Sequence, residues 1–177
     1  STKLTCSPTS PSKWITSSAS REFVHGMRLE HDAILVGMGA FLTDAPSLNT
    51  RDKESKIIKE NKKIILGDMN KLSLSKLTSL PPDKMILVHT GKETNTIAGQ
   101  FKSYCLADYS GSILELLRAL YIDGICSILV EGGQQVFSSF LDAKLFNEIF
   151  LFYGPIFMGN GKSNYTNINN SSIEECL

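Results

Sequence analysis

The sequence predicts an α/β fold in which a mostly parallel sheet is flanked by helices on both faces. Short apolar runs typical of buried strands, such as residues 33–36 and 128–130, alternate with amphipathic segments of helical period. Gly37 follows the first of these runs, and Gly132 lies two residues beyond the second. Strands that alternate with helices imply βαβ units, and these produce a parallel sheet.

The predicted elements follow this alternation along the chain. Strands are predicted at the apolar runs 3–7, 33–36, 63–66, 85–88, 104–106, 128–130 and 148–153. Helices are predicted at the amphipathic segments 16–28, 112–124 and 134–145. Ser112 and Glu115 form a capping box at the start of the second helix, and Gly124 ends it. The charged segment 52–61 predicts a loop or a short exposed helix.

Composition limits the number of domains and the classes of partner. With 177 residues, of which 42% are hydrophobic, residues 1–177 form a single domain with its own core. Eighteen basic and eighteen acidic residues leave no net charge, so neither nucleic-acid nor membrane-surface binding is expected. No apolar run approaches the roughly 20 residues that span a bilayer, and the chain is expected to be cytoplasmic.

Cysteine and histidine give no sign of a metal site. Cys6, Cys105, Cys126 and Cys176 are widely scattered, without a C-x-x-C pair or a histidine at ligand spacing. The three histidines are isolated from one another, and none lies in a recognisable nucleophile motif.

Two strand-to-helix junctions carry the residues that suggest chemistry. Glu131 ends the run 128–130 and precedes two glycines, where a ligand can approach the backbone beside a helix N-terminus. Residues 37–39 form a G-x-G after the run 33–36, and Arg51 follows as a candidate phosphate or carboxylate contact. Position 42 is leucine, so this is not the usual dinucleotide fingerprint. The alternative for Glu131 is a solvated residue in a tight turn.

Four ordered segments resemble one known family. They are SKWITS at 12–17, VHGMR at 24–28, DAILVGMGAFLTDAPSLNTR at 32–51 and LVEGGQQVFSSFLDAKLFNEIFLFYGPIFMG at 129–159. Together they resemble the reductase domain of the bifunctional riboflavin-biosynthesis deaminase/reductase, which has a dihydrofolate-reductase-like fold. The resemblance implies NADPH-dependent reduction of 5-amino-6-(5-phosphoribosylamino)uracil, a small phosphorylated pyrimidine, in which the ribosyl group becomes ribityl.

The resemblance also assigns site residues by position. It implies substrate contacts at Ser12, Arg28, Leu48, Arg51 and Glu131. It implies cofactor contacts at Trp14, Ala40, Asp44, Gly133, Gln134, Gln135, Val136, Phe137, Ser138 and Ser139. Lys3 and Glu131 are the residues expected to assist catalysis.

These assignments agree with the chemistry of the ligands. Two arginines suit a phosphate, and a helix opened by glycine suits a pyrophosphate. Three of the assigned residues also have a purely structural interpretation. Trp14 could anchor the core, Arg28 could complement a helix dipole, and Lys3 could be a solvated lysine.

The chain departs from the family pattern at several points. A loop near residues 7–11 and the final strand are expected to be missing, Ala40 replaces a threonine, and Ala45 replaces a second acid. The zinc signature of the deaminase is absent from residues 1–177, so that domain is expected only on a longer chain. Two alternatives therefore stay open: the related reductase that acts on 2,5-diamino-6-ribosylamino-4(3H)-pyrimidinone 5′-phosphate, and a non-catalytic binding module. A homodimer is expected, because the predicted strand 148–153 is hydrophobic on both faces.

Overall fold

A five-stranded parallel sheet forms the centre of the structure, a computed structural model that describes residues 16–44, 46–72, 81–89, 101–109 and 111–153. The strands are β1 (Ala33–Gly37), β2 (Thr50–Arg51), β3 (Ile57–Lys59), β4 (Lys62–Leu66), β5 (Met85–His89), β6 (Lys102–Cys105) and β7 (Ile128–Gly132). The helices are α1 (Ser18–Glu30), α2 (Met38–Asp44), α3 (Ile113–Ile122) and α4 (Gln134–Asp142). The sheet order is β6-β5-β4-β1-β7, and β2 pairs with β3 in a separate antiparallel hairpin.

The two faces of the sheet bury two hydrophobic clusters. Successive side chains of a strand point to opposite faces, so Leu35 joins the cluster that contains Leu116 of α3 and Phe140 of α4. Ile34 joins the cluster on the other face, which contains Phe41 of α2. Because both faces are covered, every residue of β1 is buried, which explains its continuous apolar run. The predicted parallel sheet with helices on both faces is confirmed.

The C-terminal end of α1 is held by the hairpin. Lys59 Nζ donates to the carbonyl oxygens of Leu29 and His31 at 2.8 and 2.7 Å. Asn61 Nδ2 donates to the carbonyl oxygen of Arg28 at 2.6 Å, and Asn61 Oδ1 accepts from Thr50 Oγ1 at 2.8 Å. These bonds satisfy carbonyl groups that have no partner within the helix. They therefore fix the end of α1 to the segment that leads into the sheet.

Helix α3 begins and ends as the sequence predicts, with one change at its start. Ser112 Oγ accepts the Glu115 N–H at 3.4 Å, but the Glu115 carboxylate pairs with Arg118 at 2.6 Å. At the other end Gly124 has φ +79°, and its N–H donates to the carbonyl oxygen of Tyr121 at 2.9 Å. Ile125 N–H bonds Leu120 O at 3.0 Å, which completes a Schellman motif.

Two predicted segments are wrong. Residues 52–61 are neither a simple loop nor a helix, because β3 lies within them and pairs with β2. Residues 148–153 form no strand, and no strand that the structure describes pairs with them. Their side chains are exposed, and Tyr153 is 86% accessible. The sixth strand is confirmed but begins earlier than predicted, at Lys102. The predicted strand 3–7, the loop near 7–11 and the expected position of a final strand lie outside the described residues.

None of the described helices has the length and apolar character needed to cross a membrane.

Candidate active site

The carboxyl ends of β1 and β7 meet at glycines. The register between these strands shifts after Leu35, so that Val36 pairs with Gly132. A Cβ on Gly133 would lie 3.3 Å from Gly37 Cα, and one on Gly37 would lie 3.0 Å from Val136 Cγ2. Gly133 has φ +98°, a conformation that residues with side chains rarely adopt. The two junctions therefore touch through bare backbone, and only glycine fits there.

Helix α4 begins at this contact without a side-chain cap. Gly133 occupies the N-cap position, and the first intrahelical bond runs from Phe137 N–H to Gly133 O at 3.0 Å. The N–H groups of residues 135 and 136 precede that bond, so they have no partner within the helix. Such N–H groups, together with the helix dipole, bind anions.

The predicted cofactor run 133–139 divides between the helix start and the core. Gln135 is exposed, whereas the side chains of Val136 and Ser138 are buried. Ser138 Oγ donates to the carbonyl oxygen of Gln134 at 2.9 Å, and Ser139 Oγ donates to that of Gln135 at 2.8 Å. Phe137 is half-buried. A ligand at the helix start would therefore contact the backbone of the first turn rather than most of these side chains.

Arg28 and Glu131 form a bidentate ion pair across this end of the sheet. Arg28 Nε donates to Glu131 Oε1 at 2.5 Å, and Arg28 Nη2 donates to Glu131 Oε2 at 2.6 Å. The two side chains are 13% and 16% exposed. Charge-assisted bonds in this fork geometry are among the strongest in proteins. Two residues that are 103 positions apart in the sequence, both predicted to bind substrate, thus bind each other.

Asn49 connects Arg28 with Arg51. Its carbonyl oxygen accepts from Arg28 Nη1 at 2.8 Å, and its side-chain Oδ1 accepts from Arg51 Nε at 3.1 Å. Asn49 is only 4% exposed, and Ser47 Oγ also donates to its Oδ1 at 3.1 Å. The structure therefore brings Arg28, Arg51 and Glu131 together, and whether they bind a substrate stays a prediction. We call Arg28, Asn49, Arg51 and Glu131 the strand-end cluster.

His25 borders the strand-end cluster. Its Nδ1 accepts the backbone N–H of Arg51 at 3.1 Å. Burial lowers the pKa of His25 below its usual 6.5, and the charges of Arg28 and Arg51 lower it further, while Glu131 opposes them. His25 was not predicted as a site residue. It lies three positions before Arg28 on one helix, and that spacing places the two on one face.

The remaining predicted residues make no hydrogen bond or ion pair to the strand-end cluster that the structure shows. Ala40 of α2 faces the end of β7, because a Cβ on Gly132 would lie 3.7 Å from Ala40 Cβ. Asp44 is exposed at the end of α2 and makes no hydrogen bond or ion pair with any residue that the structure describes. Leu48 is fully buried in the core with φ +47°, so its side chain supports the segment instead of facing a ligand.

Three predicted residues, Lys3, Ser12 and Trp14, lie outside the described residues, as does Ala45. Across the described ranges, no group of three or more histidine, cysteine or acidic side chains could hold a metal ion.

Like His25, Asn49 was not predicted as a site residue, although it lies two residues before Arg51 in a segment that the family resemblance covers. Its closeness to Arg51 in the sequence is the one feature that could have predicted a role for Asn49.

Known proteins resemble this chain over most of its length. RibD of Bacillus amyloliquefaciens is 33% identical over 163 residues, which are 88% of this chain and 43% of that protein. The 2,5-diamino-6-ribosylamino-4(3H)-pyrimidinone 5′-phosphate reductase of Archaeoglobus fulgidus is 27% identical over 173 residues, 86% of this chain and 75% of that one. The chain therefore spans less than half the length of this RibD relative.

A solved structure of Acinetobacter baumannii RibD superposes with a TM-score of 0.75 at 23% identity. It covers 94% of this chain and 47% of that one, and it confirms the predicted fold. The profile of the RibD C-terminal domain matches residues 5–173. Since this match takes in nearly the whole sequence, the chain belongs to the RibD C-terminal domain family.

Proposed function

We propose that this chain is a riboflavin-biosynthesis reductase, which uses NADPH to reduce the ribosyl group of 5-amino-6-(5-phosphoribosylamino)uracil to ribityl. The observation that carries the proposal is the strand-end cluster beside an uncapped helix start, in a chain of this family. The cluster offers cations for a phosphate and a carboxylate for hydroxyl groups. The helix start offers N–H groups for a pyrophosphate.

Arg51 is the main ligand of the substrate phosphate. Arg28 already uses all three of its nitrogens, two on Glu131 and one on Asn49. Arg51 uses Nε on Asn49 and has only a long contact of 3.5 Å from Nη1 to Ser55 O. Its guanidinium therefore keeps donors for a phosphate oxygen. Arg28 adds positive charge nearby while it holds Glu131.

Glu131 orients the ribose hydroxyls of the substrate. A carboxylate has about four acceptor positions, and the two bonds from Arg28 occupy only two of them. The ion pair fixes the carboxylate at the end of β7, so little reorganisation is needed when a hydroxyl binds. Lys3 and Ser12 are proposed to complete the substrate side. Leu48 is proposed to support the substrate-binding residues, because its side chain packs in the core next to Asn49 in the chain.

The helix start fits a nicotinamide cofactor. A side chain at position 133 would crowd the backbone of Gly37, so glycine lets the end of β1 meet the start of α4. The N–H groups of residues 135 and 136 would hold the pyrophosphate, and Ala40, Asp44 and Trp14 would line the remainder of the cofactor. When bound, the cofactor supplies the hydride. The choice of NADPH over NADH rests on the family alone.

The test is cofactor oxidation by the purified chain, with each pyrimidine offered in turn. We expect turnover with NADPH and the uracil substrate, and a higher KM for that substrate in Arg51→Ala. Arg118→Ala is the matched control, because Arg118 is an exposed arginine on α3 that pairs with Glu115. Absence of turnover with both pyrimidines and both nicotinamide cofactors would leave a binding module as the function.

One observation favours the second candidate, the reductase that acts on 2,5-diamino-6-ribosylamino-4(3H)-pyrimidinone 5′-phosphate. The Archaeoglobus reductase of that name is 27% identical to this chain over 173 residues. The two substrates differ in their ring, so faster turnover of the diamino compound would identify this alternative.

The assembly is proposed to be a homodimer in the cytoplasm. Its support is the exposed apolar segment 149–153, in which Leu151 is 65% exposed. Phe150 and Phe152 contact Phe23 of α1, with ring centroids 5.8 and 6.0 Å apart, and extend the apolar surface onto that helix. Because the RibD relative is more than twice as long as its matched part, a deaminase domain on the full-length chain is proposed as well.

A further inference from the structure

His25 joins helix α1 to strand β2 through one hydrogen bond. Its Nδ1 accepts the Arg51 N–H at 3.1 Å, and the ring makes no other hydrogen bond to a described residue. Only an unprotonated ring nitrogen can accept, so the ring is neutral and carries its proton on Nε2.

The backbone of Arg51 has little other support. Strand β2 is two residues long, and its pairing with β3 is irregular between Thr50 and Arg51. The side chain is held by Asn49, at 3.1 Å from Nε. His25 therefore fixes the main chain of Arg51, and Asn49 fixes its guanidinium.

Burial first, and then the charges of Arg28 and Arg51, keep the His25 ring neutral near pH 7. Arg28 on the same helix and Arg51 on β2 both disfavour protonation, as burial does, whereas Glu131 on β7 favours it. The net effect is a lowered pKa of His25. Glu22, three residues earlier on α1, is paired with Lys53 at 2.8 Å.

We propose that neutral His25 is a positioning residue that holds Arg51 in place for the substrate phosphate, and that protonation of His25 releases Arg51. The inference rests on the proposed function, because that function assigns the phosphate to Arg51. A protonated Nδ1 is a donor and repels the Arg51 N–H, so the bond that fixes the main chain is lost. His25 thus makes phosphate binding depend on the charge of a residue that need not touch the ligand.

The experiment compares three forms of the full chain: the wild type, His25→Asn and His25→Leu. The asparagine Oδ1 lies near the position of Nδ1, accepts the same N–H and does not titrate. Leucine has similar bulk and no acceptor. Calorimetric titration with ribose 5-phosphate, and with ribose as the uncharged probe, reports the phosphate contribution.

We expect His25→Leu to bind ribose 5-phosphate about tenfold more weakly, as loss of one positioning hydrogen bond predicts, with ribose affinity unchanged. His25→Asn should restore affinity to within about threefold of the wild type. As the pH falls from 7 to 5, the wild type should lose more phosphate affinity than His25→Asn does. The phosphate itself titrates in both proteins, so the difference between them belongs to the histidine.

Equal affinity of the wild type and His25→Leu for ribose 5-phosphate would overturn the role of His25 and leave the proposed function intact. Equal affinity of the wild type for ribose 5-phosphate and ribose would remove the phosphate site, and with it both proposals. If His25→Leu does not fold, His25→Gln replaces it, because its amide extends one bond beyond the Nδ1 position. Full affinity in that variant would likewise refute the positioning role.

Discussion

The ion pair between Arg28 and Glu131 should stabilise the fold as well as shape the site. Glu131→Gln removes the charge but keeps the shape and one acceptor oxygen for Arg28. The guanidinium is then left largely buried with its charge uncompensated. We expect the variant to fold, with a lower free energy of unfolding and a lower turnover.

The structure sets the size of the effect on stability. Two unit charges about 4 Å apart attract by about 4 kcal/mol at the effective dielectric constant near a protein surface, and removing both from water offsets part of this. A hydrogen bond to a charged group contributes about 1.5–3 kcal/mol, and glutamine retains one such bond. Because both side chains keep some exposure, 13% and 16%, we expect a loss of about 2 kcal/mol. For a domain of this size that lowers Tm by about 4–8 °C.

A double-mutant cycle isolates the pair from its surroundings. Urea unfolding of Arg28→Leu, Glu131→Gln and the double variant should give a coupling energy of about 1.5–3 kcal/mol. The exposed pair of Arg118 with Glu115, 64% and 46% exposed, is the matched control and should couple by only about 0.2–1 kcal/mol. Coupling below about 0.5 kcal/mol for Arg28 and Glu131 would refute the reasoning, because independent residues add within that limit.

Four further measurements test other parts of the structure. Asp44→Asn should weaken NADPH binding in a fluorescence titration and leave substrate affinity unchanged; the reverse result would remove Asp44 from the cofactor side. Gly133→Ala should cost about 1–3 kcal/mol in urea unfolding, since its φ is +98°, while Gly132→Ala, which meets only an ordinary contact at 3.7 Å, should cost much less. Asn61→Ala should cost about 2–3 kcal/mol, because it leaves the Thr50 hydroxyl and the Arg28 carbonyl without their partner, while the His31 carbonyl keeps its bond from Lys59; a cost near zero would contradict the capping role. Sedimentation at micromolar concentration should give twice the chain mass of 19.5 kDa, and a single-chain mass would reject the dimer.

The central strands β1, β4 and β5 were predictable because they are largely buried on both faces. Their apolar runs are continuous, and glycines follow two of them. The strands can therefore be recognised in the sequence without knowing which strands and helices pack against them. The hairpin of β2 and β3 lacks this signal. Ile57 and Ile58 are exposed, and the surrounding residues are charged, so nothing in the sequence distinguishes the segment from a loop.

The strand-end cluster was predictable only in part. The family resemblance placed Arg28 and Glu131 on the same ligand, but a single sequence contains no sign that residues 103 positions apart pair with each other. Helical spacing relates His25 to Arg28, yet the bond from His25 to Arg51 depends on how the hairpin packs against α1. The burial of Leu48 and its positive φ were not predictable either, because leucine rarely adopts that backbone conformation.

The glycine contact explains why fold and cofactor site depend on the same residues. Gly37 and Gly133 touch because β1 and β7 are neighbours and α4 starts at the end of β7, so a side chain at Gly133 would strain the backbone before any cofactor arrived. Loss of cofactor binding in a Gly133 variant therefore does not by itself identify the pyrophosphate site. The N–H groups of residues 135 and 136 receive no side-chain cap and precede the first intrahelical bond, so they can bind an anion without a change in the fold. Cofactor binding at the start of α4 must consequently be measured in variants whose free energy of unfolding equals that of the parent. Gly132→Ala is such a variant close to Gly133, because its added Cβ would make only an ordinary contact with Ala40.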